Sequence, residues 1–208
     1  MKAVALLSGG IDSPVGLYIM AKRMECNALF METDPFMEEP PGKIPSLIRQ
    51  VERAADVSIP LYRAPFGRLV QWEIRRQATP RFRCLLCKRM MYRVAERLAV
   101  EVDADVLVTG ENLGQVASQT LSNLVALDDA VSLPIIRPLI GLDKQEIIKI
   151  AERIGTYEHS IAGDASCSLI PRQPATASKL PTVRDEEAKL DVPGLIEAAL
   201  EQMVQEKL

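Results

Sequence analysis

Two groups of residues in this 208-residue chain have types and spacings that can do chemistry. The first is Ser8-Gly9-Gly10-Ile11-Asp12-Ser13, directly after the apolar run Ala3-Val4-Ala5-Leu6-Leu7. Two glycines without Cβ atoms let consecutive backbone N–H groups turn inward around an anion, and Ser8 and Ser13 add hydroxyl donors. Asp12, acceptor-only when ionised, is placed to cap the helix that follows or to hold Mg²⁺ at a pyrophosphate. Pro14 suits a first helical turn, and the positive end of that helix would face the same phosphate. The pattern is neither Gly-x-x-x-x-Gly-Lys-Ser/Thr nor Gly-x-Gly-x-x-Gly. It points to ATP held by its phosphates.

The second group is cysteine. Cys84 and Cys87 open a basic helix as Cys-x-x-Cys, and Cys167 lies in the loop Asp164-Ala165-Ser166-Cys167-Ser168. A helix start flanked by Arg83, Lys88 and Arg89 should favour thiolate. Four readings stay open: zinc with Cys167 and His159 or Cys26 completing the ligands, a redox dithiol, a three-cysteine iron-sulfur cluster with one open iron, or two small buried residues. Cys26 reads as core and the lone His159 as structural. Trp72 and Tyr92 receive no role, and spacing supports no aromatic stacking platform.

The elements that must position these groups alternate. Strands are predicted at Lys2–Leu7, Asn27–Glu32, Ser58–Arg63, Asp105–Thr109 and near Pro134–Arg137. Helices are predicted at Ser13–Met24, Ile44–Ala55, Cys84–Val102, Gln115–Leu124 and Lys144–Ile154. The last is the best marked, with Asp143 and Glu146 as a capping box and Gly155 as its stop. This is the pattern of an α/β, doubly wound parallel five-stranded sheet, whose ligands bind beyond the carboxyl ends of the strands. Ser8–Ser13 and Thr109–Asn112 both fall there. Pro35–Gly42 reads as a mobile loop. Residues 1–180 are expected to form one ATPase domain, and 181–208 a C-terminal helical extension starting at Arg184 or Pro193.

Net charge is −3, which argues against a dedicated nucleic-acid binder. Locally, though, ten arginines and lysines between Arg63 and Arg97 face only Glu73 and Glu96, leaving eight net positive charges to steer a phosphate backbone or a nucleotide. No apolar run is long enough for a membrane span, no signal peptide is read, and a cytoplasmic setting with reduced cysteines is expected.

The loop at Ser8–Ser13 resembles that of the PP-loop pyrophosphatases, adenine nucleotide alpha hydrolase-like enzymes that split ATP between its α and β phosphates and attach AMP to a substrate oxygen. Four blocks carry a closer resemblance: Ser8 to Val15; Cys87-Lys88-Arg89-Met90-Met91-Tyr92-Arg93; Val108-Thr109-Gly110-Glu111-Asn112 through Gln119-Thr120; and Arg137-Pro138-Leu139-Ile140-Gly141-Leu142-Asp143-Lys144. In this order, over residues 3 to 178, they resemble the ATPase domain of the ThiI family of tRNA 4-thiouridine sulfurtransferases.

The resemblance implies adenylation of a uridine oxygen in tRNA and displacement of AMP by sulfur. It implies that Leu6, Leu7, Lys88, Gly110 and Gln119 bind ATP together with Ser8, Gly9, Gly10, Asp12 and Ser13, that Met31 borders the adenine, and that Cys167 is the catalytic cysteine. The Cys84/Cys87 pair is similar to that of archaeal-type members, where it and the equivalent of Cys167 go with an iron-sulfur cluster, 4Fe-4S or 3Fe-4S. Neither the family's N-terminal THUMP region nor its rhodanese domain is read in these residues, and the expectation is that other proteins supply them. The expected partners are therefore tRNA, reached through a separate THUMP-containing protein, a sulfur donor or free sulfide, and a second copy of the chain as a homodimer. An ammonia-using ligase of the wider group and a nucleotide-binding subunit are the alternatives.

Overall fold

The computed structural model describes residues 1–114, 119–163 and 166–207. The sheet is built on β1 (Lys2–Leu7), where Ala3, Val4 and Ala5 are all essentially inaccessible. A strand apolar on both faces must be covered on both, which places it centrally in a parallel sheet. β2 (Glu25–Glu32) and β4 (Val106–Val108) flank it in parallel, β3 (Leu61–Pro65) lies outside β2, and β5 (Ile135–Ile136) outside β4. The order is β5-β4-β1-β2-β3-β6. The chain runs outward from β1 on one side and returns to its other side at β4, so the strand order reverses between β1 and β4. A crevice for ligand opens at such a point.

Helices cover both faces. On one, Ala3, Ala5, Ala28 and Phe30 pack with Leu17 of α1 (Asp12–Ala21) and with Leu47, Ile48 and Val51 of α2 (Lys43–Ala55). On the other, Val4, Leu29 and Leu107 pack with Leu86, Met90 and Leu98 of α4 (Arg83–Glu101). Each fully buried Leu or Ile contributes about 1.5–3 kcal/mol. A third cluster joins Val15 and Leu139 to Ile147 and Ala151 of α6 (Lys144–Arg153), which carries the expected capping box and ends before Gly155 at φ +75°.

Several expectations are corrected. The sheet has six strands, because β6 (Val204–Glu206) adds antiparallel to the edge of β3, pairing Leu61 with Glu206 and Arg63 with Val204. The chain end is thus α8 (Leu180–Glu187), α9 (Val192–Glu201) and a strand in place of one helix. β3 starts at Leu61 and not Ser58, since Pro60 has no N–H for the ladder, although its carbonyl accepts from Ala28 N. α5 runs Leu121–Asp128, started by Thr120, whose hydroxyl accepts from Asn123 N; residues 115–118 of the helix expected there lie outside the described residues. α3 (Trp72–Gln77), entered through a π turn at Gly67–Gln71, and α7 (Tyr157–Ile161) were not foreseen. The Pro35–Gly42 loop is pinned rather than loose: Phe36 is buried, its carbonyl accepts from Ser168 N, and Glu39 pairs with Lys43 at 3.1 Å. Among the described residues no helix is long and apolar enough to cross a membrane.

Candidate nucleotide and thiol site

A cavity of about 260 Å³ opens at the carboxyl ends of β1, β2 and β4. Its apolar side comes from Leu6, Leu7, Phe30, Met31 and Met91, its polar side from Ser8, Gly10, Asp12, Ser13, Lys88 and Gln119. Of the residues expected to hold ATP, only Gly9 is not part of this wall; it lies under the Glu39 carboxylate, whose atoms would stand 2.3–2.4 Å from a Cβ added there. Gly110 closes the wall from β4. A Cβ at Gly110 would fall 2.6 Å from Ser13 N and Cα, so only glycine lets the loop after β4 lie against the start of α1.

The two serines hold the loop's shape. Ser8 N donates to Ser13 Oγ at 2.8 Å, the two hydroxyls are 2.9 Å apart, and Gly10 N donates to Ser8 Oγ at 3.3 Å. Asp12 does not cap α1. Ile11 takes the capping position with αR backbone and no side-chain bond, while the Asp12 carboxylate, one residue inside the helix, accepts from Lys144 Nζ at 2.5 Å. Lys144 is held there because it is the first residue of α6, whose start the capping box fixes.

Beneath Lys88 sits Glu111, buried and held from three elements. Its Oε1 accepts from Lys88 Nζ at 2.9 Å; its Oε2 accepts from Tyr92 Oη at 2.5 Å, from Arg137 Nε at 2.8 Å and from Thr109 Oγ1 at 3.3 Å. Burial alone would push this carboxyl up, but the Lys88 charge and the hydrogen bonds from Tyr92, Arg137 and Lys88 outweigh it and leave the carboxyl below its ordinary value. The Tyr92 phenol is pushed up, first by burial and then by the Glu111 charge, so it stays a donor.

The three thiols are grouped. Burial, then the charge of Cys167, raises the Cys84 thiol against the pull of Lys88; burial raises Cys87 to about 12, with Gln71 Nε2 at 3.2 Å from its sulfur pulling the other way. Thiolate favoured by the helix start is therefore corrected for Cys84 and Cys87: desolvation outweighs the one nearby cation. The others counted in sequence are committed elsewhere. Arg83 donates to the Arg75 carbonyl, and Arg89 turns into a buried network with Glu187 and Asp129. Three sulfurs are the right donors for an iron-sulfur cluster, and in the arrangement described no three His, Cys, Asp or Glu side chains among the described residues converge to hold a metal ion.

The basic run from Arg63 to Arg97 is largely self-paired, with Arg63 on Glu32 and Glu206, Arg68 on Asp34, Arg76 on Glu73 and Arg93 on Glu187. Sequence spacing could not show most of this, because apart from Glu73, three residues before Arg76, the carboxylates come from distant segments. Glu111, Tyr92, Arg137 and Lys144 went without an individual role, although all four stand inside motif blocks, because their partners come from other segments of the chain. Cys26 is core, as expected.

A family model described as thiamine biosynthesis protein (ThiI) matches residues 1–192. A probable tRNA sulfurtransferase of Methanothermobacter thermautotrophicus is similar at 44% identity over 194 residues, 92% of this chain and 50% of the relative. A crystal structure of a 4-thiouridine synthetase–RNA complex with bound ATP matches with TM-score 0.91 and 37% identity, over 99% of this chain and 54% of that one. A U34-tRNA thiolase, NcsA, of Methanococcus maripaludis, solved with its 4Fe-4S cluster, matches with TM-score 0.52 at 18% identity over 97% of this chain and 70% of its own, a likeness of fold alone. The chain spans about half the length of the curated relatives it matches.

Proposed function

The chain belongs to the ThiI family, and on that premise we propose that it is an ATP-dependent sulfurtransferase that turns a uridine of tRNA into 4-thiouridine. The observation that carries the proposal is the position of α4. Lys88 lines the cavity together with the Ser8–Ser13 loop, while Cys84, one turn before it, and Cys87 lie within electrostatic reach of Cys167. One rigid helix thus ties a nucleotide cavity to a sulfur-bearing edge.

In this proposal the free amides of the Ser8–Ser13 loop and the start of α1 cradle the phosphates, and Met31 and Phe30 border the base. Asp12 is the carboxylate that would hold the Mg²⁺ arriving with ATP, and the bond from Lys144 aims it. The uridine O4 attacks the α-phosphorus, the bond to the β-phosphate oxygen breaks, and pyrophosphate leaves. Lys88, anchored by Glu111, stabilises the charge that develops on the phosphate. Sulfur then bonds to C4 and the C4–O bond breaks with AMP as leaving group.

With hydrosulfide as donor, the remaining proton passes to water and no redox partner is needed. With a persulfide on Cys167, its outer sulfur bonds to C4, and Cys84 or Cys87 as thiolate cleaves the S–S bond. That leaves a disulfide for a dithiol reductant to restore. Neither route requires a cluster.

The test is anaerobic incubation with Mg-ATP, sulfide and tRNA, followed by nucleoside mass spectrometry. The expected products are 4-thiouridine, with AMP and pyrophosphate in equal amounts. For a persulfide donor, Cys167→Ser should abolish thiolation and leave tRNA-dependent AMP formation. Absence of both thiolated nucleoside and AMP would sink the proposal. Pyrophosphate release driven by ammonia and indifferent to Cys167→Ser would favour a ligase.

A further inference from the structure

Trp72 is the single tryptophan of the chain and is 45% exposed. Its ring lies 6.1 Å from that of Phe36, and the Arg75 guanidinium sits over both, 5.6 Å from the Trp72 centroid and 5.8 Å from that of Phe36. An indole with a guanidinium stacked beside it, held by a buried ring, is what proteins present to an unpaired base.

What gives the group meaning is its tether. Gln71, the residue before Trp72, donates to the Cys87 sulfur. Ser168, the residue after Cys167, donates its N–H to the Phe36 carbonyl at 2.8 Å. Arg83, the residue before Cys84, donates to the Arg75 carbonyl at 2.8 Å. Cys84 and Cys167 are thus each one residue from a bond to a member of the ring cluster, and Cys87 itself accepts from the residue beside Trp72.

The charge around it suits a polyanion. Arg68 and Arg76 have Asp34 and Glu73 as partners, but Arg75, Arg81 and Arg83 have no carboxylate partner among the described residues. We propose that Trp72 and Arg75 form a stacking platform for an unpaired nucleobase of the RNA substrate. The platform holds the nucleotide at or next to the one being thiolated against the Cys84, Cys87 and Cys167 edge, with Arg81 on its phosphates. The inference rests on the RNA-directed reaction proposed above and adds the residues that would present the RNA.

Because Trp72 is the only indole, its fluorescence reports on the platform directly. Titration with a single-stranded uridine hexamer and with tRNA should quench it, and the effect should weaken as salt rises. Trp72→Ala should bind either RNA about 5- to 150-fold more weakly and raise KM for tRNA. Its KM for ATP should not move, and its thermal midpoint should fall by a few degrees at most, for the packing lost against Phe36. Trp72→Phe should restore most of the loss, because any aromatic face stacks.

Unchanged emission at RNA concentrations shown by anisotropy to saturate the wild-type protein would overturn the platform, and so would Trp72→Ala with tRNA KM within twofold of wild type. Quenching by a sulfur-donor protein but not by RNA would make the surface a protein contact instead, and would also overturn it. The two proposals fail separately. Quenching without thiolated product would remove the reaction and keep the platform; thiolation by Trp72→Ala at wild-type KM would do the reverse.

Discussion

Lys88 and Arg89 are neighbours on α4, and each serves a buried carboxylate brought from far along the chain, yet the two ion networks differ in kind. Arg89 is 1% exposed and uses its whole fork: Nε and Nη2 bind the two oxygens of Glu187 at 2.9 and 2.7 Å, and Asp129 and the Ala126 carbonyl take the rest. Arg93 adds a second cation to Glu187 at 2.8 Å. This network is closed, and it rivets α8 to α4 and α5. Lys88 is 28% exposed, spends one bond on Glu111 among the described residues and lines the cavity with the rest of its ammonium. A buried pair whose donors are all used fixes structure; one with donors to spare at a cavity wall is anchored for a ligand.

The largest effect expected from this difference is on stability. Glu187→Ala strands Arg89 in the core and should cost about 3–5 kcal/mol in denaturant unfolding. The Glu187 carboxyl lies below its ordinary value because its bonds and charge contacts to Arg89 and Arg93 outweigh burial. Its contribution is therefore present above about pH 4.5 and lost as pH falls, and the variant should show a flatter acid limb.

Lys88→Met should do the opposite, moving the thermal midpoint by a few degrees at most while weakening binding of a non-hydrolysable ATP analogue by about 10- to 100-fold in calorimetry. Equal losses of stability from both variants would erase the distinction.

On the same helix, Cys87 tests how far the Lys88 charge reaches. A thiol raised to about 12 in the folded chain binds its proton more tightly than in the unfolded chain. The stability this gives is complete below about pH 9 and is lost as pH rises toward 12, so Cys87→Ser should flatten the alkaline decline by up to about 1.4 kcal/mol per pH unit.

The smallest effect belongs to the outer rim of the open network. Asp128, half exposed, pairs with Arg137 at 2.5 Å, and Asp128→Asn should change stability by less than about 1 kcal/mol and leave ATP affinity within twofold.

Much of the site could be read before folding. The Ser8–Ser13 loop, the strand ahead of it and the place of Thr109–Asn112 beyond a second strand follow from local rules, and these segments do meet at one cavity. The capping box at Asp143 and Glu146 was equally legible, since it lies within one turn. Partnership was not. Asp12 reads as a helix cap in its own neighbourhood and is claimed by Lys144, 132 residues away. Thiols beside arginines read as activated, yet burial raised them.

The sequence by itself determined the strand-helix alternation, the glycine turn after β1 and which thiols the chain carries, because hydrophobic period, glycine freedom and residue type act over a few residues. Only the tertiary structure decided which charges are spent and which are spare, that β6 closes the edge of β3, and that Trp72 packs with Phe36 and Arg75 while its neighbour Gln71 bonds Cys87. Those outcomes depend on distances and desolvation between segments that spacing along the chain does not encode.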